Sequence, residues 1–155
     1  MAVRRMRAGT MRRMPGAPVT LAMRSPNVLV VHPSTPFKTL QDVVEYAKRN
    51  PGKLSYGSSG IASSIHLMAE LLKGQSGLDM THVPYKGVGP AMADLAAGHI
   101  MVSIASAASA LPFSRSGKMR IRAVTLDRRY ALMPSVPTVS ESVPAFRKPP
   151  TWFAM

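Results

Sequence analysis

From Asn27 to Thr125 the chain alternates short apolar, β-branched runs with segments of helical period, and this alternation limits its fold more than any other feature. Val28-Leu29-Val30-Val31 is a continuous apolar run ended by Pro33 and Pro36, the pattern of a buried strand. Thr39 then opens a helix in which Leu40, Val43, Val44 and Ala47 share one face, and Asn50-Pro51-Gly52 stops it. Leu54-Ser55-Tyr56 reads as a short strand. A helix is expected from about Ser63 to Lys73, with Ile65, Met68, Leu71 and Leu72 on one side and Gly74 and Gly77 ending it. Met80 to Val83 and Ile100 to Ile104 read as strands around a helix from Pro90 to Ala97. A helix near Ala107 to Leu111 and a strand from Ile121 to Thr125 complete the series. Such an order predicts an α/β fold, a mainly parallel sheet with helices on both faces. After Leu126 the rhythm gives way to a segment broken by Pro134, Pro137, Pro144, Pro149 and Pro150.

Two loops in this series can carry binding chemistry. Gly57-Ser58-Ser59-Gly60, followed by Ser63 and Ser64, joins a strand to a helix N-terminus, where free backbone N–H groups and the helix dipole favour an anion. The alternative is a plain capped turn. Pro84-Tyr85-Lys86-Gly87 occupies the equivalent place after the next strand, with Tyr85 offering a flat face, Lys86 a cation and Gly87 an open backbone. Packing for Tyr85 and solvation for Lys86 are the competing roles. Ligands of open α/β sheets bind outside the carboxyl ends of the strands, so both loops are expected to face one crevice.

Catalysis finds no support. Gly57-Ser58-Ser59-Gly60-Ile61 lacks the Gly-x-Ser-x-Gly spacing of a nucleophile elbow, and no Gly-Lys-Ser/Thr follows it. The carboxylates are scattered, and no cysteine is present. Of the four histidines only His66, with Glu70 one turn on, shares a helix face with an acid; a surface pair, or orientation of the Ser63-Ser64 turn, is the expected role. Neither a metal nor a cofactor is implied.

The net charge of +13 raises nucleic-acid binding as an alternative. Its distribution argues against that, because residues 26–111 hold six basic and five acidic groups, while the excess lies in 1–25 and 112–155. A phosphate-tracking surface gathers its cations on one packed face, often with aromatics between them, and residues 1–25 contain no aromatic. Residues 1–17 are expected to form a poorly ordered basic leader. Arg12, Arg13 and Arg24 interrupt any apolar core a signal peptide would need, so as written the chain carries no recognisable export signal and would stay cytoplasmic.

Several runs resemble the solute receptors of tripartite tricarboxylate transporters, the Bug family. They are Pro26-Asn27-Val28-Leu29-Val30-Val31-His32-Pro33 and Asn50-Pro51-Gly52-Lys53-Leu54-Ser55-Tyr56-Gly57-Ser58-Ser59-Gly60. Most specific is His82-Val83-Pro84-Tyr85-Lys86-Gly87 with Pro90-Ala91 and Asp94-Leu95, and Pro134-Ser135-Val136-Pro137-Thr138 follows in order. The resemblance implies a periplasmic receptor of the type II binding-protein architecture, holding a small organic carboxylate or amino acid between two lobes and passing it to membrane transporter subunits. It implies no enzymatic activity, no cofactor and no nucleic-acid partner. By this likeness residues 18–125 correspond to the second lobe and 126–155 to an irregular return toward a first lobe that is incomplete here. Ser58, Ser59, Gly60, Ser63, Ser64, Tyr85, Lys86 and Gly87 then match the second lobe's ligand-binding positions. A fragment of this kind is expected to bind carboxylates weakly, or to be a non-functional remnant.

Overall fold

The computed structural model describes residues 26–147 together with two short strand backbones, β1 (Leu21–Met23) and a partner near the other end of the chain. The expected disorder of residues 1–17 lies outside the described residues. The elements then run β2 (Asn27–Val31), α1 (Leu40–Arg49), β3 (Leu54–Ser58), α2 (Ser64–Ser76), β4 (Met80–Pro84), α3 (Val88–Ala97), β5 (Val102–Ser106), α4 (Ala107–Arg115), β6 (Arg120–Val124) and α5 (Val139–Ser142). Last comes β7 (Phe153–Ala154), antiparallel to β1.

The main sheet has the order β4-β3-β5-β2-β6. β3 is parallel to β4 and β5, whereas β2 is antiparallel to both β5 and β6. Four strands therefore share one direction, as the alternation predicts, and β2 alone runs against them from an interior position. Its residues are buried on both faces. Leu29 and Val31 join the core beneath α1, α2 and α5, while Val28 and Val30 join the core beneath α3 and α4. Full burial of side chains this size is worth about 1.5–3 kcal/mol each, which is why the run has no polar alternation.

Thr39 caps α1 as expected and forms a full capping box. Its hydroxyl accepts from the Asp42 N–H at 3.2 Å, and the Asp42 carboxylate accepts from the N–H groups of Thr39 (2.9 Å) and Lys38 (2.7 Å). The buried stripe is Leu40, Val43, Val44 and Ala47.

Several boundaries differ from the sequence reading: β3 runs on through Gly57 to Ser58, the first half of the expected turn, and β6 starts and ends one residue earlier. Gly74 lies inside α2, and only Gly77, left-handed at φ 63°, ends the helix. A glycine costs a helix interior about 1 kcal/mol, less than α2 gains by burying Ile65, Met68, Ala69 and Leu72. Leu71 is only half-buried. α3 starts at Val88, which puts Pro90 in its first turn, where no intrahelical N–H bond is lost. β5 begins two residues later than its apolar run, although the Met101 N–H already donates to the Ser55 carbonyl of β3 and its carbonyl accepts from the His32 N–H just beyond β2. α4 continues through Pro112 to Arg115.

Candidate functional site

Since β3, β4, β5 and β6 run together, their carboxyl ends lie on one side of the sheet, and α2, α3 and α4 begin there. Ser63 caps α2, accepting from the His66 N–H at 3.2 Å, and Ser106 caps α4, accepting from the Ser109 N–H at 3.1 Å. α3 differs. Its cap is Gly87, at φ 118°, and no side chain closes its first turn. Three helix N-termini, each with a partial positive charge, thus border one end of the sheet. The described polypeptide also enters and leaves the sheet here, where the Thr125 N–H donates to the Asn27 carbonyl at 2.9 Å.

The two loops singled out by sequence are brought together. The Tyr85 N–H donates to the Ser58 carbonyl at 3.0 Å, and a Cβ built on Gly60, which has φ 128°, would stand 3.5 Å from the Tyr85 carbonyl oxygen. Gly57 makes this approach possible. A Cβ there would meet Ile100 Cδ1 at 2.4 Å and Tyr85 Cε2 at 3.2 Å.

The side chains divide into those that build the loop and those that reach solvent. Ser58 is 1% exposed and turns inward, its hydroxyl 2.7 Å from His82 Nε2 while also accepting from the Gly60 N–H at 3.2 Å. The Ser63 hydroxyl donates to the Gly60 carbonyl at 2.7 Å. Ser59 and Gly60 are half-buried, and Ser64, the first residue of α2, is exposed. Lys86 is exposed as well. Tyr85 is half-buried, and its hydroxyl donates to Asp94 Oδ2 at 2.7 Å, which fixes the ring. Burial and the Asp94 carboxylate together raise the Tyr85 pKa to about 12, so its hydroxyl stays a neutral donor. The Tyr85 and His99 hydrogen bonds hold the Asp94 carboxyl below its ordinary value.

Sequence reading missed His82. Its ring stacks on Tyr56 at 4.9 Å and on His66 at 4.1 Å. Tyr56 and His82 are register partners across β3 and β4, so they share a face, but that signal exists only once the strand pairing is known. His66 does orient the turn before it, accepting the Ala62 N–H at Nδ1 (3.0 Å). Glu70, 3.9 Å from His66 Nε2, takes hydrogen bonds at Oε1 from Tyr56 (2.6 Å) and Lys73 (3.0 Å). Burial works against its charge, yet the Tyr56 and Lys73 hydrogen bonds outweigh it and keep the carboxyl below its usual range.

Among the described residues no group of three or more acidic, histidine or cysteine side chains is placed to hold a metal, and no helix is long and apolar enough to cross a membrane. A cavity of about 220 Å³ at the opposite end of the sheet, lined in part by His32, Phe37, Tyr46 and Met101, lies away from both loops.

The sequence profile described as tripartite tricarboxylate transporter family receptor matches residues 15–155. The chain belongs to this receptor family. It is 42% identical over 113 residues to the UPF0065 protein in the gbd 5′ region of Cupriavidus necator, covering 73% of this chain and 34% of that one. BugT of Bordetella pertussis is 33% identical over 139 residues, covering 89% and 42%. Among solved structures, Rpa4515 of R. palustris with adipate superposes with a TM-score of 0.85 at 36% identity, covering 94% of this chain and 50% of that one. MatC (Rpa3494) of Rhodopseudomonas palustris with bound malate gives 0.78 at 28% identity, covering 84% and 45%. The periplasmic binding-protein architecture is thus shared, and the receptor chain spans half or less of the length of these relatives.

Proposed function

We propose that this chain contributes one wall of a periplasmic receptor site for small organic carboxylates, delivered to a tripartite tricarboxylate-type transporter. The observation that carries this reading is the convergence of the Ser58–Ser64 and Tyr85–Gly87 loops at one end of the sheet, with the α3 first turn left without a side-chain cap. Uncapped N–H groups beside two further helix N-termini attract a carboxylate in preference to a cation or a neutral solute. Two relatives were solved with dicarboxylates, adipate and malate, which fits this chemistry. Lys86 adds a positive charge at the rim, and Tyr85, fixed by Asp94, gives a flat wall. Ser58 acts from below, shaping the loop instead of touching the ligand.

The described crevice has one wall, so donors on it compete with bulk water. Losing two charge-assisted hydrogen bonds, at about 1.5–3 kcal/mol each, lowers affinity by two to four orders of magnitude. The 155-residue chain is therefore expected to bind adipate or malate no more tightly than the millimolar range. Calorimetric titration with dicarboxylates and amino acids tests this. Gly60→Val should abolish the binding, since φ 128° is closed to valine; unchanged affinity in that variant places the site elsewhere.

A further inference from the structure

The same loop rests on a pair of histidines whose protonation states are not free. Ala62 takes φ 61°, a left-handed conformation that a non-glycine residue keeps only when its surroundings impose it. Two things hold it: the turn around it, closed from the Ser63 N–H to the Gly60 carbonyl at 3.3 Å, and the hydrogen bond from its own N–H to His66 Nδ1 at 3.0 Å. A backbone N–H can only donate, so Nδ1 must carry the lone pair and the ring proton must sit on Nε2. His66 is therefore neutral whenever the loop has this shape.

Its ring lies 4.1 Å from that of His82, with 12° between the planes. His82 Nε2 reaches Ser58 Oγ, which accepts the Gly60 N–H. Two stacked imidazoles thus grip both sides of the turn, His82 through Ser58 and Gly60, and His66 through Ala62. We propose that His66 and His82 are the positioning pair of the carboxylate-binding loop, and that protonation of His66 on acidification releases the Ala62 amide and loosens the turn around it.

The groups facing the pair give this a direction. From α2, Glu70 stands 3.9 Å from His66 Nε2 and favours a cation there, while Lys73, 3.0 Å from the same carboxylate oxygen, opposes it. From β3, Tyr56 stacks on His82 and spends its hydroxyl on Glu70. The partner of His82 on the loop side is the Ser58 hydroxyl, which does little to stabilise a cation. Burial, then the charge of His66, holds His82 below the ordinary imidazole range. Once protonated, His66 turns an N–H toward the Ala62 N–H, and attraction becomes repulsion at a residue already in a strained conformation.

The inference concerns the loop itself; only its effect on ligand rests on the carboxylate-receptor reading. The test is nitrogen-15 NMR of the whole chain from about pH 8 to about pH 5, spanning the imidazole range. The Ala62 amide should shift through a single protonation and lose roughly tenfold of its exchange protection, corrected for intrinsic rates, as a hydrogen bond of ordinary strength is lost. In His66→Asn, whose side-chain oxygen can accept without titrating, protection should remain and the transition disappear. In His66→Phe, which keeps the stack but not the acceptor, protection should be low at every pH. A transition that persists in His66→Asn, or one removed only by His82→Phe, overturns the proposal. Adipate titrations at the two pH extremes separate the two readings. Binding that weakens on acidification in wild type but not in His66→Asn supports both. Absence of adipate binding throughout counts against the receptor reading alone, and the Ala62 amide still decides the switch.

Discussion

The two ends of the sheet treat their backbone groups differently. At the end where β2 finishes, the chain closes on itself: Thr39 and Asp42 exchange a full capping box, the Thr35 N–H and hydroxyl both donate to the His32 carbonyl, and Leu40 enters the core at once. At the other end α3 starts on a glycine with no cap, Lys86 and Ser64 are exposed, and Ile61 at the turn is 77% exposed. One end is built to satisfy itself. The other leaves the α3 first turn without a side-chain cap, and its special backbone conformations are gathered at Gly60, Ala62 and Gly87.

The sharpest break in this contrast is Leu40→Ala. Leu40 is fully buried at the closed end, and its truncation should cost about 2–5 kcal/mol in urea unfolding while leaving the loop amides unmoved. Gly87→Ala probes the open end. No atom lies within 4 Å of the new Cβ, but φ 118° with ψ 175° is a glycine-only conformation, so a loss of about 1–3 kcal/mol is expected from the backbone alone. If Gly87→Ala is neutral, the open end is not held in a special shape and the contrast fails. The smallest effect belongs to Asp42→Ala, at about 0.5–1 kcal/mol near neutral pH. Hydrogen bonds from the Thr39 and Lys38 N–H groups, in that order, hold the Asp42 carboxyl below its ordinary 3.8. The folded state therefore binds the proton less readily than the unfolded one. The Asp42 contribution is whole above about pH 3.8 and is lost as pH falls through the lowered value, so wild type and variant should converge in acid unfolding.

Much of this architecture was legible because it is written locally. Thr39 as cap, the Leu40–Ala47 stripe, Asn50 as stop and the position of both loops all follow from short-range pattern. The direction of β2 does not. A strand buried on both faces reads as Val-Leu-Val-Val whether its neighbours run with it or against it, and only the pairing with β5 and β6 reveals the reversal. Pro112 marks a break in pattern, yet α4 carries on past it, because a proline six residues into a helix removes only one internal bond. At the site, glycine and serine gave away the loop, but not that Ser58 points inward. That depends on His82, which is distant in sequence and meets it only across the β3–β4 ladder.

The reversed interior position of β2 also bears on how such a chain reaches its native state. β2 pairs with nothing close to it in sequence: Val28 lies opposite Ala105 on one side and Val124 on the other. The parallel pair β3 and β4, joined through α2, can close much earlier. An apolar, β-branched segment made early must therefore wait, both edges unsatisfied, until the second half of the domain arrives. During that interval it is the part of the molecule most prone to pair with another copy, and the slow step of folding should be its insertion between β5 and β6.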